Sequence, residues 1–278
     1  MSTPNVPEPD AQAPLAQLAA LAAAGPVVVA HRGDSGSSGH AENTLPAFEA
    51  ARRIGCAMQE FDVRRTRDGV LVCIHDGSLD RTTDAAARLG PGALVAETTF
   101  AELGQLDAGS WHPANAAPAA VPTLAAVLDL LLPACIPLIE HKAGAATDYI
   151  ELLRRRDAIG GVILQSFDWR FVADAKALAP ELTVALLGPT RGFAELDDAA
   201  VAAARACGAG MVHWHASRLD AGAVRRAHDA GLLVCSYTTD DELGMRGGAA
   251  LGIDAMCTNE PAKMLALELQ RPHRQPRP

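Results

Sequence analysis

Aromatic residues make up only 4% of this 278-residue chain. Its core must therefore be filled mostly by Ala, Leu and Val. Basic charge is also in short supply: 24 Lys and Arg stand against 33 Asp and Glu, a formal net charge of -9. That balance argues against a nucleic-acid partner or a general affinity for anionic lipid, while leaving room for a local basic pocket that takes one phosphate. The six cysteines (Cys56, Cys73, Cys135, Cys207, Cys235, Cys257) form no C-x-x-C pair. Buried free thiols in a reducing compartment are expected, rather than a zinc site or a disulfide framework. No apolar run approaches the ~18 residues that span a bilayer. No basic segment precedes the Ala/Leu stretch at 11–24, which reads as a leading amphipathic helix and not as a signal peptide. The expectation is a cytoplasmic protein with no stable membrane association. Nor does a G-x-G-x-x-G follow the first strand, which counts against an open dinucleotide-binding sheet.

What is present is alternation. After Gly25-Pro26, the run Val27-Val28-Val29-Ala30 ends abruptly in His31-Arg32-Gly33. This reads as a buried strand that delivers reactive side chains to its C-terminal end. Asn43 or Thr44 can cap a following helix, with Pro46 in its first turn and Gly55 as its stop. Further strands are expected at 58–64, 136–140, 162–165, 182–187, 211–215, 232–237 and 253–257, with a hairpin arm at 70–74 behind the Asp68-Gly69 turn. Helices are expected at 123–132, 148–157, 169–178, 195–206, 221–230, 241–250 and 261–269. Residues 76–121, with Gly90-Pro91-Gly92, Pro113 and Pro118, break the rhythm and read as an excursion over the active-site face. Eight strands, each followed by a helix, predict an α/β fold, a TIM (β/α)8 barrel with a small insertion after the second strand and its hairpin. The expected division is a helical extension at 1–25, a barrel domain at 26–270 with its insertion at about 76–121, and a disordered tail at 271–278.

In such a barrel the chemistry sits at the C-terminal strand ends. Polar residues recur there: His31 and Arg32, Glu60 and Asp62, His75 and Asp76, Glu140 and Lys142, Gln165, His213 and His215, Tyr237, Asn259. Glu60 and Asp62 are two apart, so in a strand both carboxylates face one side. In isolation such a pair is more often a solvated face. Directed into a barrel mouth, the two repel and stay ionised only beside a cation, for which a hard divalent ion bound through oxygen is the natural choice. Glu140 can supply a third oxygen. His31 and His75 form a candidate acid–base pair, with a structural hydrogen-bonding role as the alternative for either one alone. Arg32 and Lys142 can neutralise phosphate oxygens, Arg with a bidentate fork. Trp214 and Tyr237 could wall a substrate pocket, and a quaternary ammonium group would gain from an aromatic face. For Trp214 ordinary barrel packing is the alternative.

Taken in order, His31-Arg32-Gly33, Glu42-Asn43-Thr44, Glu60-Phe61-Asp62-Val63, Thr66-x-Asp68-Gly69, His75-Asp76, Leu79-x-Arg81-Thr82-Thr83, Leu106-Asp107-Ala108-Gly109-x-Trp111, Pro122-Thr123-Leu124 and Glu140-x-Lys142 resemble the signature of glycerophosphodiester phosphodiesterases. The resemblance runs from residue 27 to 142 and continues weakly through Gln165-Ser166-Phe167 and Gly252-Ile253-Asp254. It implies hydrolysis of small glycerophosphodiesters, such as glycerophosphocholine or glycerophosphoethanolamine, to sn-glycerol 3-phosphate and an alcohol. It implies His31 and His75 as general acid and base, Glu60, Asp62 and Glu140 as ligands of Mg²⁺ or Ca²⁺, and Arg32 and Lys142 as phosphate-binding residues. A lysophospholipase D or another phosphodiesterase on the same barrel is the alternative enzyme; it would need an apolar groove for an acyl chain. The chain departs from the family pattern at several places. Ala41 stands where Pro is usual, and the loop from Gly33 to Glu42 is longer. Tyr237-Thr238-Thr239-Asp240 replaces aromatic-Thr-Val-Asn, and Thr258-Asn259-Glu260-Pro261 replaces Thr-Asp-x-Pro. His141 stands where Ile or Leu is common.

Overall fold

The computed structural model describes residues 13–36, 38–114 and 117–270. Among the described residues nine strands form one sheet: β1 (Val27–His31), β2 (Met58–Arg65), β3 (Leu71–Cys73), β4 (Ile136–His141), β5 (Ile163–Ser166), β6 (Thr183–Gly188), β7 (Met211–His215), β8 (Leu233–Tyr237) and β9 (Ala255–Thr258). Strand β1 pairs in parallel with both β9 and β2, so eight parallel strands close on themselves in the order β1-β9-β8-β7-β6-β5-β4-β2. Strand β3 is the hairpin arm, antiparallel to the end of β2, with Val63 opposite Cys73 and Arg65 opposite Leu71. Helices connect the parallel strands. This is the expected TIM barrel, and closure leaves none of its eight strands with a free edge.

The period-two alternation of each strand makes two apolar layers. Val29, Met58, Leu138, Met211 and Cys257 face the lumen and pack together. Phe61, Ile139, Leu164, Val212 and Met256 face outward and pack against helix residues such as Phe48, Leu128 and Phe171. All six cysteines are free; five are buried in these layers, and Cys207 is half-buried.

The first described helix, Ala13–Ala22, closes the barrel at the end opposite the expected site. Leu18 and Ala22 are buried in the lumen cluster, with Leu15 packed against it. The approach is close: a Cβ on Gly210, one residue before β7, would stand 2.1 Å from Leu15 Cδ1. Among the described residues no helix is long and apolar enough to cross a membrane. The 271–278 tail and residues 1–12 lie outside the described residues.

Helices that follow the barrel strands start near the C-terminal strand ends, and side-chain caps set where. Thr44, not Asn43, caps the Leu45–Arg53 helix by accepting from Ala47 N–H. Asp197 accepts from Ala200 N–H, so the helix expected from residue 195 begins at Asp198. Asp168, Asp220 and Asp241 cap three further helices in the same way. Between β3 and β4 the chain forms short turns of helix at Ala85–Arg88, Val95–Glu97 and Phe100–Leu103. These have an apolar cluster of their own, built from Val72, Leu79, Val95, Leu103 and Leu106.

Replacing Leu18 by Ala tests whether the leading helix is part of the barrel core. The expected loss is about 2–5 kcal/mol of unfolding free energy, read from the urea midpoint. A loss below about 0.5 kcal/mol, the range of a surface change, would contradict the plug.

Candidate active site

At the C-terminal end of the barrel the lumen positions turn from apolar to acidic. Met58, Glu60 and Asp62 share the inward face of β2. The parallel register sets His31 beside Glu60, Asp62 beside Glu140, and Glu140 beside Gln165. Glu60 is 1% exposed, Asp62 0% and Glu140 7%, so water solvates them little. One carboxylate oxygen from each of the three lies within 4.8 Å of the others. At that spacing two carboxylates repel by about 3 kcal/mol, for an effective dielectric of ~20. Burial, then Asp62 and Glu140, push Glu60 well above the usual carboxylate range. Burial and Asp62 push Glu140 up to about 7, against the pull of Lys142. Burial also works against Asp62, but Arg32 and Lys142 outweigh it and hold this carboxyl below its usual value.

The cations are placed to do so. Arg32 Nε lies 3.0 Å from Asp62 Oδ2, and Lys142 Nζ 3.2 Å from Asp62 Oδ1. Lys142 Nζ also contacts Glu140 Oε1. Asn43 donates from Nδ2 to Asp62 Oδ2 at 2.9 Å and accepts at Oδ1 from Asp62 N–H. Even so, neither oxygen of Glu60 has a hydrogen-bond partner, and Asp62 Oδ1 and Glu140 Oε1 have between them only the Lys142 ammonium. Buried acceptors without donors are rare in folded proteins. Hard oxygen donors left over in this way fit a divalent cation. A second grouping of His31, Glu60 and Cys257 is less suitable, because burial and then Glu60 push the Cys257 thiol up and keep it protonated.

The backbone is bent to fit this arrangement. Arg32 and Asn43 both adopt left-handed φ angles, 59° and 57°. Such angles are costly for residues with a Cβ and collect at functional sites. Gly33, at φ 84°, lies so close to Ala47 that a Cβ would meet its carbonyl carbon at 2.6 Å.

Both candidate histidines reach the mouth with a fixed partner. His31 Nδ1 lies 2.7 Å from Asn259 Oδ1, and its Nε2 lies 3.8 Å from Glu60 Oε2. His75 Nδ1 lies 2.5 Å from Asp76 Oδ1. Burial lowers both imidazoles below their ordinary value, for His31 with the help of Arg32. Both also feel the Asp62 carboxylate, which opposes the shift. A chain of ion pairs ties the two sides together. Arg81 holds Asp76 at 2.5 Å and Glu42 at 2.8 Å, and Glu42 holds Arg32 at 2.7 Å. Arg81 lies within the excursion between β3 and β4, so that segment steadies His75 from outside.

The aromatic residues divide. Tyr237 faces the lumen, donates to Gly188 O at 2.9 Å and lies edge-on to Phe167, His213 and His215. Phe167 is exposed at the rim, with Lys142 Nζ 5.9 Å from its ring centre. Trp214 is not brought to the mouth. It follows the inward-facing His213, so alternation turns it outward, where it is fully buried against Trp169. His141, by the same parity, faces out and stacks on Phe171 at 3.4 Å.

Glu42, Asn43, Arg81 and Asn259 carry much of the geometry without having been assigned a role from sequence. Glu42, Asn43 and Arg81 lie inside the matched motifs. Asn259 is two residues beyond the lumen-facing Cys257, and period two alone turns it inward.

The chain matches the glycerophosphoryl diester phosphodiesterase family over residues 31–263. It is 33% identical over 256 residues to a glycerophosphodiester phosphodiesterase of Bacillus subtilis, covering 84% of each chain. Among solved structures it is similar to an Oleispira antarctica phosphodiesterase in complex with the product sn-glycerol-3-phosphate (28% identity, TM-score 0.76, 87% of this chain and 96% of that one). It is also similar to a glycerophosphodiester phosphodiesterase from Agrobacterium tumefaciens (27% identity, TM-score 0.73, 87% and 99%). With the closed barrel and the acidic mouth, these matches make the chain a member of the glycerophosphoryl diester phosphodiesterase family.

Proposed function

We propose that this phosphoric diester hydrolase cleaves small glycerophosphodiesters, such as glycerophosphocholine or glycerophosphoethanolamine, to sn-glycerol 3-phosphate and an alcohol. In this reading Glu60, Asp62 and Glu140 hold a divalent cation, Mg²⁺ or Ca²⁺. The observation that carries it is a cluster of three buried carboxylates in which neither oxygen of Glu60 has a donor and Asp62 and Glu140 share the one Lys142 ammonium. The product bound by the Oleispira antarctica relative supports the choice of substrate class.

A bound cation would neutralise phosphate oxygens and favour the ionised form of the attacking group. The other roles fall to the chain itself. Arg32 and Lys142 orient the phosphate and take up charge that grows on its oxygens in the transition state. One of His31 and His75 takes the proton of the attacking nucleophile and the other gives a proton to the leaving alcohol oxygen; the nucleophile is water, or else the substrate's own glycerol hydroxyl, in which case water then opens the cyclic phosphate to glycerol 3-phosphate. Tyr237 and Phe167 wall the alcohol side at the rim. In this reading the extension at 1–25, of which Ala13–Ala22 is the described helix, and the barrel domain at 26–270 with its insertion at about 76–121 act together, in the cytoplasm.

Two measurements test this. Glycerol 3-phosphate release from glycerophosphocholine should stop on chelation and return with Mg²⁺ or Ca²⁺. His31→Ala and His75→Ala should each lower kcat on the order of 10²–10⁴-fold. Activity that survives EDTA, or wild-type kcat in either variant, would sink the mechanism.

The second readout is thermal stability. Cation at a hundred times its Kd should stabilise the wild type by about 2.7 kcal/mol. Glu60→Gln should lose that shift, yet be no less stable than wild type in chelator, because the substitution relieves carboxylate repulsion. A full metal-induced shift in Glu60→Gln would contradict the ligand set.

A further inference from the structure

The hydrogen bond behind His31 has a direction that its neighbours dictate. Asn259 Oδ1 lies 2.7 Å from His31 Nδ1, and Asn259 Nδ2 lies 2.8 Å from Asp240 Oδ2. A carboxylate only accepts, so the amide NH₂ must face Asp240 and the amide oxygen must face His31. An amide oxygen cannot donate. The proton between Asn259 and His31 therefore belongs to His31 Nδ1, and the lone pair of the neutral ring lies on Nε2. That nitrogen is the one on the Glu60 side, 3.8 Å from Oε2.

Asp240 is itself held so that it cannot reverse the chain. Its Oδ1 accepts from Asn259 N–H at 2.8 Å and from the Thr258 hydroxyl at 3.0 Å. Thr258 Oγ1 accepts from Glu260 N–H at 3.0 Å, which leaves its proton for Asp240. Lys263 Nζ donates to Asp240 O at 2.9 Å. From the other side the loop after β1 closes on Asn259: a Cβ on Gly36 would stand 2.2 Å from Asn259 O.

We propose that Asp240 and Asn259 are positioning residues that lock His31 in the Nδ1–H tautomer and leave Nε2 as its proton-accepting atom. The effect on rate rests on His31 being one of the acid–base pair; the tautomer does not. A single exchange breaks this logic. In Asp240→Asn, Oδ1 still has its two donors, so Nδ2 takes the place of Oδ2. Asn259 must then turn its oxygen toward it and its NH₂ toward His31, which moves the proton to Nε2. Adding Asn259→Asp restores an acceptor at His31.

Long-range ¹H–¹⁵N spectra of the ¹⁵N-histidine-labelled chain, in chelator and with added Mg²⁺, read the tautomer directly. His31 is assigned by the signals lost in His31→Gln. The expected result is a protonated Nδ1 in wild type and in D240N/N259D, and a protonated Nε2 in D240N. In the Mg²⁺-supplemented glycerol 3-phosphate assay, D240N should lose kcat on the order of 10²–10⁴-fold with KM within about threefold, as when an orienting carboxylate is replaced by its amide. D240N/N259D should recover most of it. A wild-type Nε2–H tautomer, or D240N with wild-type kcat and an Nδ1–H signal, would overturn the proposal. So would a double variant no more active than D240N. The wild-type spectrum decides the tautomer even if D240N fails to fold. Activity retained in His31→Gln would overturn the acid–base role and hence the predicted rate effect, and so separates that failure from a failure of the tautomer.

Discussion

Three carboxylates in a nearly dry barrel mouth set the terms for everything around them. Glu60, Asp62 and Glu140 have too few donors to satisfy their oxygens and stand too close to ionise together. Asp62 keeps its charge because Arg32 and Lys142 reach it. Glu60 and Glu140 are driven toward the neutral form by burial and by their neighbours. A divalent cation would resolve both problems, by supplying charge and by filling the acceptors. The same demand explains the left-handed backbone at Arg32 and Asn43, which turns both side chains onto Asp62 Oδ2 and leaves Oδ1 to Lys142. Strain of that kind persists only where the surroundings over-determine it.

The barrel supplies those surroundings through one rule, alternation. Inward positions are apolar from the Leu18 plug up to Leu138 and Cys257, then polar from His31 and Glu60 to the rim. Most outward positions are apolar and fasten each strand to its helices. The acidic mouth thus stands on a packed floor, and the excursion between β3 and β4 adds Arg81 as an outer brace that reaches Glu42 and Asp76.

Much of this was legible in the chain. Strand–helix alternation disclosed the barrel, because each strand ends near a turn residue or a cap. Glu60 and Asp62 were readable as a pair because a strand repeats every two residues. Parity also carries information that residue type hides. Trp214 looks like a pocket wall by composition, yet its place after His213 turns it to the helices. The roles of Arg81, Asn43 and Asn259 were not legible, since each depends on a contact between distant segments: Arg81 with Glu42, Asn43 with Asp62, Asn259 with His31. The choice between Asn43 and Thr44 as helix cap was open for the same reason. Asn43 is drawn into the site, and Thr44 is left to cap.

The most direct test of the account is to locate a cation. Crystals of the full chain grown in chelator and soaked in Mn²⁺, which scatters anomalously and binds hard oxygen donors, should give one strong anomalous peak bridged by Glu60, Asp62 and Glu140. A peak elsewhere, or none at millimolar Mn²⁺ with the three carboxylates still in place, would contradict the central claim.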